Sequence, residues 1–100
     1  MIREPPKISQ EKTRIVIECH VRAVSAPKVH WLKEHMIVKE DKRHSVKITE
    51  VSKGEWVVIL EIIKPSEENK GSYKLVAKNE KGEATSDTIQ VDVDGNNDKI

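Results

Sequence analysis

Apolar side chains recur at every second position along much of this chain, and this period limits what the chain can fold into. Ile15, Ile17, Cys19 and Val21 alternate with polar or charged residues. That spacing places the apolar residues on one face of an extended strand, whereas an amphipathic helix needs a period near 3.6. We find no stretch of sequence with the helical period, so the sequence predicts an all-β domain.

Short strands separated by turn signals fill most of the chain. Residues 56–63 form an apolar, β-branched run that Pro65 ends, and a run this short favours a strand over a helix. Lys53-Gly54 is a typical turn signal before it. The charged segment 34–44 is predicted to be a loop or a weak edge strand, and the last strand to cover about residues 84–93. About seven short strands at regular spacing predict a β-sandwich or a barrel.

Composition and charge argue against several classes of function. The chain has 100 residues, and its 18 Lys and Arg against 17 Asp and Glu give a net charge of +1. This length suits one domain, and the mixed charges lack the clustered basic face that binds nucleic acid. No apolar run approaches the roughly 20 residues that span a bilayer, and the polar amino terminus is unlike a signal peptide. We therefore expect neither nucleic acid nor a membrane as a partner.

Cys19 is the only cysteine, so the chain cannot form an internal disulfide. Small secreted domains usually contain disulfides, and the sequence also lacks an Asn-x-Ser/Thr glycosylation acceptor. Both observations favour a reducing, cytoplasmic compartment. The period-two pattern turns the Cys19 side chain inward, so we expect a buried, unreactive thiol.

The polar residues form no recognisable catalytic or metal-binding motif. His20 and His30 would point outward from different sheets, while His35 and His44 fall in the charged segment 34–44. A zinc site needs about four convergent ligands, which this arrangement does not supply. The motifs G-x-S-x-G, P-loop and H-E-x-x-H do not occur in the sequence. We expect no metal, no cofactor and no enzymatic activity.

An ordered set of residues resembles the I-set immunoglobulin domain over about residues 5–93. Cys19 lies where the family's second strand has a cysteine, and Trp31 lies where strand C has its core tryptophan. Three further segments match the family pattern in the same order. They are Leu60-x-Ile62, Asn69-x-Gly71-x-Tyr73-x-Leu75 and Ala77-x-Asn79-x-x-Gly82.

This resemblance implies an all-β, immunoglobulin-like Greek-key β-sandwich of two antiparallel sheets, here without a disulfide. The family pattern would place six of the matching residues in the structural core: Cys19, Trp31, Leu60, Ile62, Tyr73 and Leu75. Tyr73 would be the tyrosine of the family's corner, whose hydroxyl bonds back to the backbone. Residues 1–4 would then be a leader and residues 94–100 a tail or linker.

The sequence departs from the family pattern at two positions. Leu75 replaces the second cysteine, so Cys19 and Leu75 should pack as apolar groups against the core tryptophan. Asn69 replaces the family's aspartate, which usually pairs with an arginine at the position of Arg43. We expect a neutral hydrogen bond between Arg43 and Asn69, or a substitute pairing of Arg43 with Glu68.

Strand parity also predicts a candidate partner face. If residues 58, 60 and 62 face the core, then Val57 and Ile59 face outward, as does Val16 between two inward isoleucines. Strands B and E are neighbours in the immunoglobulin fold, so Val16, Val57 and Ile59 would form a small apolar patch. Val76 would lie outward on the other sheet, alone. The patch is either a set of scattered surface residues or a docking or interdomain surface.

The Pro5-Pro6 entry and the corner at 64–71 look most like those of disulfide-free domains in giant sarcomeric proteins of the titin, twitchin and obscurin type. The resemblance implies a structural or protein-interaction module, a spacer or docking site in filament organisation at the cytoplasmic sarcomere or myofibril. Its partners would be neighbouring immunoglobulin or fibronectin-type domains and actin or myosin filaments. Two alternatives stay open. One is a cell-adhesion or receptor ectodomain that lacks its disulfide, and the other is an actin-binding or kinase-regulating immunoglobulin domain of a smaller cytoskeletal protein.

Overall fold

The computed structural model describes residues 6–11 and 13–92, and these form nine strands and one short 3-10 helix. In chain order the strands are β1 (Lys7–Gln10), β2 (Arg14–Arg22), β3 (Lys28–Lys33), β4 (Met36–Ile37), β5 (His44–Ser52), β6 (Glu55–Ile63), β7 (Gly71–Asn79), β8 (Gly82–Thr85) and β9 (Ile89–Val91). The helix covers Glu67–Asn69. The expected leader 1–4 and tail 94–100 lie outside the described residues.

The described strands form two antiparallel sheets that enclose one apolar core. The four-stranded sheet has the order β1-β2-β6-β5. The five-stranded sheet has the order β4-β3-β7, with both β8 and β9 paired to β7. The first described strand therefore lies in one sheet and the last in the other. The all-β fold of two antiparallel sheets without a disulfide, predicted from the sequence, is confirmed.

The core consists of inward-facing residues from both sheets, as the period of two requires. Along β2, Ile15, Ile17, Cys19 and Val21 are fully buried, while the residues between them are partly exposed. The residues that the family pattern assigns to the core are buried as well, with exposures of 0% for Cys19, Trp31, Leu60, Ile62 and Leu75 and 1% for Tyr73. Each fully buried large apolar side chain stabilises the fold by roughly 1.5–3 kcal/mol.

The structure divides the predicted last strand into β8 and β9. Ser86, between them, donates its backbone N–H to the carbonyl of Leu75 at 2.8 Å. Its Oγ accepts the backbone N–H of Leu75, also at 2.8 Å. The Ser86 side chain thus takes the place of a backbone acceptor, and the regular ladder is interrupted at this point.

The charged segment 34–44 contains both a weak edge strand and a loop. Glu34 has a φ of 58° and turns the chain back, so that β4 pairs with β3. The loop that follows β4 ends at His44, which is the first residue of β5 and not a loop residue. This assignment places the imidazole beside the corner that precedes β7.

The corner before β7 is held by hydrogen bonds to Asn69, which is 5% exposed. The Tyr73 hydroxyl donates to the Asn69 carbonyl at 2.7 Å, which is the corner bond that the resemblance implied. Burial raises the pKa of the Tyr73 phenol, and the hydrogen bond to Asn69 opposes that change. Asn69 Oδ1 accepts the backbone N–H of Ser66 at 2.9 Å, which fixes the orientation of the Asn69 amide.

Arg43 reaches the same corner mainly through backbone carbonyls. Its Nε donates to the carbonyl of Ile63 at 3.2 Å, and its Nη2 donates to the carbonyl of Lys64. The expected neutral bond from Arg43 Nη2 to Asn69 Oδ1 is present but long, at 3.4 Å. Of the two pairings that the sequence allowed for Arg43, the structure therefore shows the one with Asn69.

His44 links the corner to the loop before β5. Its Nδ1 lies 2.8 Å from Asp41 Oδ1, and its Nε2 lies 3.0 Å from Asn69 Nδ2. Because the amide nitrogen of Asn69 donates, Nε2 accepts, and Nδ1 carries the proton that His44 donates to Asp41. Asp41 Oδ1 also accepts the backbone N–H groups of Arg43 and His44, each at 2.8 Å. These hydrogen bonds, first the one from the His44 side chain, lower the pKa of Asp41.

The lowered pKa of Asp41 predicts how the change Asp41→Asn alters stability in acid. A carboxyl whose pKa is lower in the folded chain stabilises the fold fully above its ordinary pKa of 3.8, and this contribution is lost as the pH falls through the folded value. We expect the free energy of unfolding of the unchanged chain to fall more steeply below about pH 4 than that of Asp41→Asn. Urea titrations between about pH 5 and pH 2.5 measure both slopes, and parallel curves would contradict the prediction.

The buried positions Cys19 and Leu75, where the family pattern has its two cysteines, predict that Leu75→Cys forms a disulfide across the core. Both positions are fully buried in one cluster, and the bond would close a loop of about 56 residues, worth roughly 4 kcal/mol in the chain-entropy model. We expect the reduced variant to be less stable than the unchanged chain by about 1–3 kcal/mol, because Cys is smaller than Leu. The oxidised variant should be the most stable of the three.

Urea unfolding with and without a thiol reductant measures this disulfide effect, and thiol titration reports whether the bond has formed. The unchanged chain is the control, and its unfolding midpoint should not respond to the reductant. Equal midpoints for the fully oxidised and the reduced variant would show that the two positions cannot be bridged without strain.

Candidate protein-interaction surface

The outer face of the four-stranded sheet carries the three residues that strand parity singled out. Val57 and Ile59 lie two residues apart on β6, a central strand, and Val16 lies on the adjacent β2. All three side chains are partly buried. Val16 is directly opposite Glu61 and is diagonal to Ile59, a spacing of about 7–8 Å in an antiparallel sheet. The structure thus brings Val57 and Ile59 side by side and places Val16 at the margin.

Polar cross-strand neighbours border Val57 and Ile59 on both sides. Ile59 lies between Glu18 on β2 and Lys47 on β5. Val57 lies between His20 and Thr49 on the same two strands. His20 Nε2 and Glu18 Oε2 are 2.8 Å apart, so the β2 side of the border is itself paired. The apolar surface is therefore a narrow strip along β6, which we call the β6 strip and define as Val57 and Ile59.

Two ion pairs close the ends of the β6 strip. Arg14 Nη1 lies 2.8 Å from Glu61 Oε2 at one end, and Arg22 Nε lies 2.8 Å from Glu55 Oε2 at the other. The hydrogen bond to Glu61, followed by the charge of the nearby Glu11, raises the pKa of Arg14, which stays charged. Exposed ion pairs of this kind contribute about 0–1 kcal/mol to stability. Their main effect here is to surround the β6 strip with ordered charges of both signs.

The five-stranded sheet also has apolar residues on its outer face, and the prediction that Val76 lies there alone is wrong. Val76 is 7% exposed, and Leu32 on β3 faces the same side, directly opposite Ile37 on β4. Ile37 is 58% exposed. Sequence reasoning missed Ile37 because it treated the charged segment 34–44 as a unit. The apolar dipeptide Met36-Ile37 inside that segment was the available signal.

The described residues contain neither a cluster of metal ligands nor a membrane-spanning helix. Within 6–11 and 13–92, no three His, Cys, Asp or Glu side chains converge as metal ligands would. In the same part of the chain, no helix is long and apolar enough to cross a bilayer. The histidines His20 and His44 are each hydrogen-bonded to a carboxylate, and Cys19 is fully buried.

Two antiparallel sheets around a buried tryptophan, closed by a tyrosine corner, define an immunoglobulin-like β-sandwich. The sequence profile of the immunoglobulin I-set domain matches residues 2–93. The chain belongs to this family. The resemblance drawn from the ordered motif residues is thereby confirmed.

Sequence comparison finds relatives among structural proteins of the sarcomere. Myosin-binding protein H from Gallus gallus is 36% identical over 92 residues, which cover 84% of this chain and 16% of that protein. Myotilin from Homo sapiens is 34% identical over 93 residues, 92% of this chain and 18% of myotilin. Titin from Drosophila melanogaster is 29% identical over 75 residues, 74% of this chain. The chain thus spans less than a fifth of the length of these relatives.

Two solved structures with the same fold are a complex of two different proteins and a chimeric titin tandem. The complex of Dpr2 Ig1-Ig2 with DIP-Theta Ig1-Ig3 matches with a TM-score of 0.71 and 25% identity, over 87% of this chain and 32% of that one. A chimeric titin Z1Z2-Z1Z2 tandem matches with a TM-score of 0.65 and 26% identity, over 90% of this chain and 47% of that one. The first is described as containing several Ig domains, and the second as a tandem.

The alternation along β6 predicts that charge is tolerated in the β6 strip and not between its residues. In the double change Val57→Lys, Ile59→Lys, each new side chain can lie along the sheet with its ammonium in water, at a cost of about 1 kcal/mol or less per site. Val58→Lys is the matched control, because Val58 is 0% exposed and an unpaired charge there should cost more than about 4 kcal/mol. Circular dichroism and urea unfolding compare them, and equal losses would refute the assigned parity.

Proposed function

We propose that this chain is a structural and protein-interaction module, residues 5–93, of a cytoplasmic multidomain protein of the sarcomere, and that it is not an enzyme. It acts as a spacer or a docking site in filament organisation. The observation that carries this proposal is membership of the immunoglobulin I-set family together with similarity to myosin-binding protein H, myotilin and titin. Neighbouring immunoglobulin or fibronectin-type domains are its expected partners within the chain.

The path of the backbone shows where a neighbouring domain on either side would join the sandwich. β1 begins beside the middle of β2, since Lys7 pairs with Glu18, and runs towards the start of β2. β9 ends beside the start of β7, since Val91 pairs with Gly71. β3 begins at the end of the sandwich where β2 stops, and its first residue, Lys28, pairs with Lys78 near the last residue of β7. The last residue of β2 and the first residue of β7 therefore lie at opposite ends of the sandwich. The described chain therefore enters midway along one sheet and leaves from the other sheet, at the end of the sandwich where β7 begins.

The β6 strip supports the docking role. An apolar centre with a polar border is the usual arrangement of a protein–protein contact. Val57 and Ile59 supply the centre, and the pairs Glu18–His20, Arg14–Glu61 and Arg22–Glu55 supply the border. Val16 extends the apolar surface on the far side of Glu18. We therefore assign Val16, Val57 and Ile59 to the face that contacts a filament or another domain.

A second candidate is the actin-binding domain of a smaller cytoskeletal protein. The similarity to myotilin favours the smaller parent protein, because the matched segment is 18% of myotilin but 0% of titin. Both candidates use the same domain and differ in the partner. The adhesion or receptor alternative has weaker support, because the single cysteine Cys19 is buried and leaves the core without the disulfide common in secreted domains.

Co-sedimentation tests the docking role directly. The purified chain is pelleted at micromolar concentration with actin filaments and, separately, with myosin thick filaments. We expect pelleting with one of them, and loss of at least about tenfold in affinity for the double change Val57→Lys, Ile59→Lys, because two charges would have to be desolvated at the centre of the contact. Pelleting with actin and not with myosin would favour the second candidate.

The control variant carries the same two charges on the opposite side of the sandwich. Thr85→Lys with Gln90→Lys suits this purpose, because both residues are exposed on the five-stranded sheet. It should pellet like the unchanged chain. Failure of the unchanged chain to pellet with either filament would reject the docking role and leave the spacer role. Equal loss in both variants would reject Val16, Val57 and Ile59 as the contact face.

A further inference from the structure

β5 is a long strand that stands at the edge of the four-stranded sheet. It covers nine residues, and among the described strands it pairs with β6 and no other. An edge strand presents backbone donors and acceptors that can pair with a further strand, unless charges, bulges or loops block the edge.

The ladder between β5 and β6 shows which backbone groups point away from the sheet. The N–H of Ile63 donates to the carbonyl of Arg43 at 2.7 Å. Hydrogen-bonded and non-bonded pairs alternate along antiparallel strands, so the odd-numbered residues from Ser45 to Thr49 exchange bonds with β6. The backbone groups of Val46, Ile48 and Glu50 therefore face the open edge.

A loop covers the beginning of this edge, and a bulge limits its end. The carbonyl of His44 accepts the N–H of Asp41 at 2.9 Å, and the N–H of Val46 donates to Glu40 Oε2 at 3.2 Å. The register with β6 shifts between Glu50 and Ser52. The open stretch is therefore centred on Ile48 and Glu50, whose outward groups have no partner within the described residues.

The side chains at this stretch are unusually apolar for an open edge. Ile48 lies on the core side of the sheet, opposite Val58, yet it is 38% exposed. Val51, at the bulge, is 59% exposed. At this stretch the residues with open backbone groups also turn their side chains towards the core. A strand added here would therefore cover the Ile48 side chain and form hydrogen bonds with the Ile48 backbone.

We propose that this edge pairs with β5 of a second copy of the chain, in an antiparallel two-fold arrangement centred on Ile48. Self-pairing fits because an antiparallel edge is complementary to itself: each open N–H meets an open carbonyl of the copy. The centre at Ile48 places Ile48 against Ile48 of the copy and buries both exposed side chains. It also sets Val46 opposite Glu50 and Lys47 opposite Thr49, so no like charges stand directly opposite.

The other two-fold registers are disfavoured by charge or by the limits of the edge. A centre at Lys47 or at Glu50 would set two like charges directly opposite each other. A centre at Thr49 would set Ile48 opposite Glu50 and would extend the pairing into the bulge. A centre at Val46 would collide with the loop that bonds to His44 and Val46. The arrangement centred on Ile48 avoids like charges and stops before the bulge. It meets the loop only at Val46, whose N–H would exchange Glu40 Oε2 for the carbonyl of Glu50 of the copy.

This dimer would join the two four-stranded sheets into one continuous sheet. The two copies of β6 would be separated by the two copies of β5, a distance of about 14 Å at ordinary strand spacing. Both β6 strips would then lie on the same outer face. The dimer would present two β6 strips to a partner. Two linked contacts raise the avidity for a repeating filament surface without any new kind of contact.

Sedimentation equilibrium tests the association. Because an edge-to-edge contact is small, concentrations from about 10 µM to about 1 mM are needed. We expect the unchanged chain to dimerise reversibly and Ile48→Lys, which would set two ammonium groups face to face, to weaken the dimer at least about tenfold. Val57→Lys is the matched control, since it adds the same charge one strand further in, and it should dimerise normally. A monomer at every concentration for the unchanged chain overturns the proposal.

Cysteine cross-linking tests the register and does not depend on the affinity. In the proposed arrangement the Cα atoms at position 48 lie about 5.5 Å apart, within reach of a disulfide, while those at position 49 lie about 8 Å apart. We expect Ile48→Cys to give a covalent dimer under oxidising conditions and Thr49→Cys to give little. Cys19 does not compete because it is buried. Equal cross-linking of both variants, or cross-linking at position 49 in preference, overturns the proposal.

Discussion

Apolar packing around Trp31 holds the two sheets together, because no covalent bond crosses the core. Trp31 pairs with Leu75 across β3 and β7, and Cys19 reaches the same buried cluster from the other sheet. Where the family has a second cysteine, this chain has leucine, so stability rests on the burial of side chains from both sheets. This requirement fixes the inward positions of β2, β6 and β7, while the outward positions carry the charges and the β6 strip.

The parts of the fold that follow from one-sided burial could be predicted from the sequence. Burial of one face imposes a period of two, which marks β2 through Ile15 to Val21 and sets Val58 inward between Val57 and Ile59. The break at Ser86 could not be predicted, because a side chain that replaces a backbone acceptor leaves no periodic signal. A weak edge strand within 34–44 could be predicted as one alternative, but its position at Met36–Ile37 could not, since a strand of two residues is too short to show alternation.

The candidate surface shows the same division. Parity determines which residues face outward, but the border of the β6 strip depends on the register between strands, which turns and pairing set jointly. That register places Glu18 and His20 beside the β6 strip and moves Val16 to its margin. The hydrogen bonds of His44 to Asp41 and Asn69 lay beyond sequence reasoning for a related reason: they depend on where a loop and a corner meet in space.

One alternation governs both the faces and the edges of the four-stranded sheet. On β6 the odd-numbered residues turn their side chains outward and bond to β5, while the even-numbered residues turn inward and bond to β2. On β5, the residues whose side chains turn inward have backbone N–H and carbonyl groups that point away from β6, towards the open edge of the sheet. The apolar side chains and the open hydrogen-bonding groups of this edge are therefore carried by the same residues, of which Ile48 is the centre.

The placement of β1 and β9 in different sheets determines how the domain would respond to tension. A pull on the chain would act on β1 in one sheet and on β9 in the other, each along its own length, so the hydrogen bonds of each ladder would be loaded together. These ladders contain four and three residue pairs, and Gln10 Nε2 donates to the carbonyl of Asp92 between the two strands at 2.6 Å. These two short ladders would therefore be the first hydrogen bonds to carry the tension.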